Sequence, residues 1–310
     1  MNLEARFDRE IRSSLSLWRI VEIERIRDIR DEVERQQALH AGTPKRNLFA
    51  DTAYDFGILD QSDVRSVFIV ATPSPFYVLR IEGLIDLRIP PIYGNRDAIL
   101  AESRRITEAV FPEFGCRTYP VVLPKKALAA HCGLARYGNN GIAYINEFGS
   151  YFRLTVFASD YVPSNKSEWH ESRLMDSCAA CGKCVAACPV GALEAGTAWV
   201  DTNRCLTRFN EQPGDFPEWI GLDSHGSLVG CSICQEGCPQ NYKKAREVVI
   251  GMRMESFRKL LAAADFTELD SDTRTVLGDL CLERYFPVLK RNIGILMEKN
   301  ARGRTMKKEP

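Results

Sequence analysis

No apolar run in this chain approaches the roughly 20 residues that a membrane-spanning helix requires, and the first stretch, MNLEARFDREIRSSLSLW, is charged throughout. A secretory signal needs an apolar core and a twin-arginine export signal needs its arginine pair; the stretch offers neither. A cytoplasmic protein made under reducing conditions is expected. Net charge is also absent, because 41 Lys and Arg balance 41 Asp and Glu. No global field therefore draws the chain to nucleic acid or to an anionic membrane, although a local basic groove stays open. Internal repeats are lacking apart from two blocks of cysteines.

Those blocks are what the sequence has in plenty. Cys178, Cys181, Cys184 and Cys188 follow the spacing C-x2-C-x2-C-x3-C-P, and Cys231, Cys234 and Cys238 follow C-x2-C-x3-C-P. In the first pattern three thiolates hold one [4Fe-4S] cubane and the fourth reaches across to another. Small residues between them, Ala179, Ala180, Gly182, Ala186 and Ala187, let the sulfurs converge while backbone N–H groups face the sulfides. The second block lacks one thiolate, and Cys205 in DTNRCLTRF completes the count. The assignment is then Cys178, Cys181, Cys184 and Cys238 for the first cluster, and Cys188, Cys205, Cys231 and Cys234 for the second. A structural zinc needs only one tetrahedral set, and a disulfide framework belongs to short secreted chains. Cys116, Cys132 and Cys281 stand among apolar neighbours and read as small core residues. At 310 residues the chain far exceeds a bare ferredoxin and can hold one large domain or two modest ones.

Four blocks follow along the chain: an N-terminal helical segment (1–50), an α/β domain (51–170), a double-cluster domain (171–245) and a helical tail (246–310). From Leu3 to Leu39 apolar residues such as Leu15, Trp18, Ile26, Ile29 and Val33 recur at helical spacing, which predicts one amphipathic helix or two with a solvated, charge-rich face. VRSVFIVATP predicts a buried strand ended by prolines, Asp97 to Val110 a helix, and Cys116 to Leu123 a further strand. Between Leu128 and Asp160, Gly133, Gly138, Gly141 and Gly149 punctuate a helix end, an Asn-Gly turn and the strands Ile142 to Ile145 and Tyr151 to Phe157. These glycines serve either an ordinary hairpin or the close approach of a flat cofactor. In the tail, apolar spacing predicts two short helices around Pro287.

The order of these parts resembles epoxyqueuosine reductase and its relatives among the cobalamin-dependent reductases, the reductive dehalogenase cores included. The resemblance runs from about Ser62 to Asn241. It implies an α+β fold in which a nitroreductase-like α/β cobalamin-binding domain precedes a bacterial ferredoxin-like domain with two [4Fe-4S] clusters and a short helical tail. It also implies the eight-cysteine ligand set position by position, and a flavodoxin or ferredoxin as electron donor. The substrate implied is a small molecule or a modified nucleoside, with transfer RNA as a partner left open.

The corrin-pocket turn of the family, GLG-x-x-GK, is similar to Gly133-Leu134-Ala135-Arg136-Tyr137-Gly138-Asn139, with Ala135 for its middle glycine and Asn139 for its lysine. Where the family carries a proton-donating aspartate in a DSAP-like sequence, this chain has Arg117-Thr118-Tyr119-Pro120. Reductive dehalogenases use a tyrosine, so the resemblance makes Tyr119 a candidate acid beside its ordinary reading as a half-buried strand residue. His131, just before the turn, is a second candidate acid or a structural histidine. Gly133, Arg136, Tyr137, Gly138, Asn139 and Arg153 are the candidate cofactor contacts, the two arginines for a propionamide or phosphate or else for salt bridges. Two other functions fit the same cysteines: an electron-transfer module without corrinoid, and a reductase that reactivates another enzyme's corrinoid.

Overall fold

The structure, a computed structural model, describes residues 1–40 and 52–306. In chain order the strands are β1 (Leu17–Glu22), β2 (Ser66–Pro73), β3 (Phe76–Ile81), β4 (Ile85–Ile89), β5 (Thr118–Pro120), β6 (Arg136–Tyr137), β7 (Ala143–Tyr144), β8 (Phe152–Ser159) and β9 (Glu247–Met252). The α-helices are α1 (Leu3–Ser13), α2 (Ile26–His40), α3 (Arg96–Val110), α4 (Lys125–His131), α5 (Lys183–Ala187), α6 (Leu206–Glu211), α7 (Ile233–Glu236), α8 (Met254–Ala262), α9 (Ser271–Asp279) and α10 (Phe286–Met306). They divide between two compact units. One is built from Met1–Pro73, Asp97–Gly182 and Leu193–Thr202, the other from Ser74–Arg96, Lys183–Ala192 and Asn203–Pro310. The sequence reading proposed four consecutive blocks, whereas these units are discontinuous; its boundary between residues 50 and 51 lies outside the described residues.

The first unit is organised by an antiparallel sheet in the order β1-β2-β8-β5. The unbroken apolar run of β2 has a simple cause. Alternate strand residues face opposite ways, and both faces of this strand are covered. Val67, Ile69 and Ala71 share a core with Ile26 and Ile29 of α2 and with Ala127, Leu128 and Ala129 of α4. Phe68 and Val70 share another with Leu3, Phe7 and Ile11 of α1 and with Ile106 and Val110 of α3. The Asn2 side chain caps α1, accepting the Ala5 N–H at 3.0 Å.

The N-terminal segment departs from expectation. Its two helices are present, but a strand, β1, runs between them and pairs along its whole length with β2. Trp18 was counted toward a helical stripe, yet from β1 it stacks on Phe68 with ring centres 5.9 Å apart. A six-residue stretch holds too few residues to separate a period of 3.6 from one of 2, and here pairing with β2 decided.

The second unit carries a mixed sheet ordered β4-β3-β9, with β3 antiparallel to β4 and parallel to β9. Leu79, Ile81, Leu87 and Ile89 from that sheet pack with Phe257 and Leu260 of α8, Leu277 of α9, and Val288, Leu289 and Ile293 of α10. Two expectations for the tail are corrected. It opens on a strand, β9, and Pro287 does not divide two short helices, because it lies in the first turn of the single helix α10. A first-turn residue has no intrahelical acceptor for its N–H, so proline costs nothing there. No helix among the described residues is long and apolar enough to cross a membrane.

Candidate iron–sulfur site

The cysteine blocks fold into turns and helices of only five and four residues, since three thiolates within seven residues cannot face one point from a strand or a long helix. In the second unit Cys188, Cys205 and Cys231 all border one small core made of Val190, Ala192, Leu206 and Ile220. Cys205 sits at the N-terminal boundary of α6, and Cys234 lies within α7, which packs on α5 and its Cys184. Backbone donors face the sulfurs: the Ala192 N–H lies 3.3 Å from Cys188 Sγ, and the N–H groups of Thr207 and Ile233 serve Cys205 and Cys231. Burial pushes the Cys231 thiol up to about 12, and the nearby Cys205 and Cys188 add to the rise. Burial likewise raises Cys205, with Cys188 contributing.

Three thiols held this close oppose one another's ionisation, and iron offsets that repulsion when they bind it as thiolates. The grouping of Cys188, Cys205 and Cys231 therefore fits iron–sulfur ligation. Among the described residues no three His, Cys, Asp or Glu side chains stand close enough to share one metal ion. A cubane does not ask for that, because each of its four thiolates binds a different iron.

Of the other set, Cys178 and Cys181 belong to the first unit, and Cys184 and Cys238 to the second. Cys178 closes a 3-10 turn and is buried, whereas Cys181 is exposed beside Gly182, whose φ of +60° is open chiefly to glycine. The carbonyl of Cys178 accepts a 3.0 Å hydrogen bond from Asn139 Nδ2.

The glycine turn that follows α4 is tightly closed. The Gly138 N–H donates to Ile142 O and the Gly141 N–H to Gly138 O, each at 2.9 Å, and Lys126 Nζ donates to Gly141 O at 2.6 Å. A Cβ on Gly138 would lie 2.7 Å from the Tyr144 ring, and one on Gly141 would meet Val200 at 2.7 Å and the Ala198 carbonyl at 2.8 Å. At Gly133 the neighbours are His170 and Glu168. Packing thus excludes a Cβ at Gly138 and Gly141, and the left-handed φ of +68° at Gly133 and +64° at Gly141 itself favours glycine. Arg136 is exposed and forms a loose ion pair with Asp176 at 3.7 Å. Burial holds the Tyr137 hydroxyl far above its usual value, Glu32 and Tyr54 adding to the shift, so it stays neutral. Arg153 lies on β8 opposite Thr72. The Oδ1 of Asn139 is buried without a hydrogen-bond partner in the protein.

The two candidate acids have separate partners. Tyr119, on β5, donates its hydroxyl to Gln61 Oε1 at 2.6 Å, and burial followed by Asp63 and Asp55 raises its pKa. His131 ends α4 with both ring nitrogens engaged, Nδ1 to the His170 carbonyl at 2.6 Å and Nε2 to Glu32 Oε2 at 2.7 Å, while its ring stacks on Trp169. Burial opposes protonation, but Glu32 and the His170 carbonyl outweigh it and the net shift is upward. Two acceptors suit the doubly protonated ring, which makes His131 a clamp between α2 and the segment around His170.

Sequence reasoning missed Glu32, Trp169 and His170. Glu32 sits 99 positions from His131 on a helix face that read as solvated, and no local signal could mark it. A group whose folded pKa is raised adds stability that is complete below its unfolded value, about 6.5 for histidine, and is lost as pH rises through the folded value. His131→Ala should accordingly cost about 1–3 kcal/mol at pH 6, and urea midpoints should show wild type and variant converging as pH rises. A gap that stays constant with pH would contradict the charged clamp.

Comparison with known proteins agrees with this geometry. Residues 177–241 match the 4Fe-4S double cluster binding domain. The epoxyqueuosine reductase of Gloeobacter violaceus is 32% identical over 188 residues, covering 58% of this chain and 53% of that protein. That of Lactococcus garvieae is 34% identical over 116 residues, covering 37% of this chain and 31% of that protein. The matches thus span about half or less of these curated relatives. In fold, the epoxyqueuosine reductase of Streptococcus thermophilus superposes with a TM-score of 0.73 at 19% identity, covering 99% of this chain and 85% of that one. An epoxyqueuosine reductase bound to an epoxyqueuosine-modified tRNA-Tyr stem loop gives a TM-score of 0.66 at 16% identity, covering 96% of this chain and 82% of that one. Cluster spacing, sequence and fold lead to the same enzymes: the chain carries a 4Fe-4S double cluster binding domain and is similar to the epoxyqueuosine reductases.

Proposed function

We propose that this protein is a cobalamin-dependent iron–sulfur reductase that carries out a reductive cleavage on a modified nucleoside of transfer RNA, with electrons from a flavodoxin or ferredoxin. The observation that carries the reading is the convergence of Cys188, Cys205 and Cys231 on one core within a double-cluster module. When bound, the two clusters supply a one-electron relay and cobalamin a cobalt centre reducible enough to drive the cleavage. The chain's own residues do the rest. Cys178, Cys181, Cys184 and Cys238 would hold one cluster, and Cys188, Cys205, Cys231 and Cys234 the other. The Ala192, Thr207 and Ile233 N–H groups stabilise charge on the sulfurs and so help set the potential.

For the corrinoid, the unpartnered Oδ1 of Asn139 suits an amide N–H, and the exposed Arg136 suits a carbonyl or phosphate oxygen. Tyr119 is the proposed proton donor, since burial and the nearby carboxylates of Asp63 and Asp55 keep its phenol protonated at neutral pH. Tyr119→Phe should leave iron and cobalamin content intact and slow proton-dependent turnover about 10²-fold or more, the range for a lost general acid. An unchanged rate would return Tyr119 to the sheet edge as a structural residue.

One observation favours a second reading. The space at Gly138 and Gly141 is taken by Tyr144, Val200 and the Ala198 carbonyl, which suits an electron-transfer module without corrinoid. Metal and cofactor analysis of anaerobically purified protein separates the two. About eight irons with stoichiometric uptake of added cobalamin, followed by visible absorption and cobalt paramagnetic resonance, supports the reductase. The same iron without uptake supports the electron carrier.

A further inference from the structure

Each cluster segment in this molecule is held by a buried asparagine. Asn139 is 3% exposed, and its Nδ2 donates to the Cys178 carbonyl at 3.0 Å. Asn210 is fully buried, and its Nδ2 donates at 2.7 Å to the carbonyl of Gly230, the residue before Cys231. The two belong to different units and to unrelated stretches of sequence, yet the arrangement is the same: a neutral carboxamide spans from a neighbouring element to a backbone carbonyl at a cluster ligand. In both residues Oδ1 is buried with no hydrogen-bond partner in the protein. An orphaned buried acceptor is unfavourable, so what each residue brings to the fold is its N–H donor. Asn210 is itself anchored, because Asn292 of α10 donates to the Asn210 carbonyl at 2.9 Å and to Leu228 O at 2.8 Å. A line of amides thus runs from the long helix α10 to the Cys231 segment.

We propose that Asn139 and Asn210 are positioning residues, Asn139 for the cluster held through Cys178 and Asn210 for the cluster held through Cys231, each fixing the ligand's backbone and so tuning one cluster's reduction potential. This rests on the assignment of those cysteines to separate clusters. The donor requirement is specific. Aspartate keeps the shape but offers no N–H and turns a carboxylate toward a carbonyl, and leucine leaves that carbonyl unpaired. Glutamine, one methylene longer, can still donate.

The test uses the full-length protein reconstituted anaerobically with iron and sulfide. Cys178→Ser and Cys231→Ser first assign the two electron paramagnetic resonance signals, and identical changes in both would show the pairing of cysteines to be wrong. Asn139→Asp and Asn210→Asp are then expected to retain iron but to shift the midpoint potential and line shape of one signal each, the signal assigned to Cys178 or to Cys231 respectively. Asn139→Gln and Asn210→Gln should recover part of the shift. Both signals unchanged in both aspartate variants, or altered equally by either, would overturn the positioning role. If an aspartate variant fails to fold, the glutamine variant alone decides: a selective shift supports the proposal, and wild-type signals with a lowered denaturation midpoint oppose it.

Discussion

Alanine at Cys205 should halve the bound iron, from about eight atoms to about four, and abolish reductive turnover. Cys205 is the least obvious of the eight, standing alone between the two blocks. The structure puts it at the start of α6, beside the core that Cys188 and Cys231 also border, with the Thr207 N–H on its sulfur. Removing it leaves three thiolates for four irons, and the open iron becomes a point of attack for water and oxygen. Loss of one cluster should interrupt the relay, so residual activity should be near background even though the other four cysteines are untouched. Iron and sulfide analysis with paramagnetic resonance of the reduced protein checks this. Full iron content with both signals retained would remove Cys205 from the ligand set.

Gly230→Ala is expected to be nearly as damaging by a different route. Gly230 has a φ of +61°, where an L residue with a Cβ pays roughly 1–2 kcal/mol. That Cβ would also overlap the ring and hydroxyl of Tyr93. Tyr93 cannot yield easily, since it is 6% exposed, its hydroxyl is hydrogen-bonded to Glu211, and its ring meets Tyr285 edge-on at 5.5 Å. Overpacking of this kind adds about 1–3 kcal/mol, for a total near 3 kcal/mol of lost stability. The backbone at 230 leads directly into Cys231 and accepts the Asn210 hydrogen bond. The variant should therefore also lose the cluster held through Cys231 at denaturant concentrations where wild type keeps it. Iron retention followed across a urea series checks both effects. A variant as stable and as iron-rich as wild type would mean that the Tyr93 side chain moves aside freely.

The sequence by itself determined the chemistry of the cluster site, because thiolate spacing is a covalent property of the chain. C-x2-C-x2-C-x3-C admits few geometries, and counting ligands proposes Cys205 as the eighth. The long buried elements were legible for a similar reason: the β2 run and the helix from Arg96 to Val110 carry patterns that persist over several turns or pleats. Short elements were not. β1 and β9 are six residues each, and their strand character comes from pairing with β2 and β3, partners that local composition does not reveal.

Tertiary structure alone decided which residues face one another. It closed His131 between Glu32 and His170 and packed Tyr144 against Gly138 and Val200 against Gly141. It also set Asn139 and Asn210 beneath the backbone at Cys178 and Gly230. A side chain's partners across 20 or 99 positions depend on how sheets and helices stack. Cysteine ligands announce themselves through local spacing, while the residues that hold those ligands in place become visible only when the chain is folded.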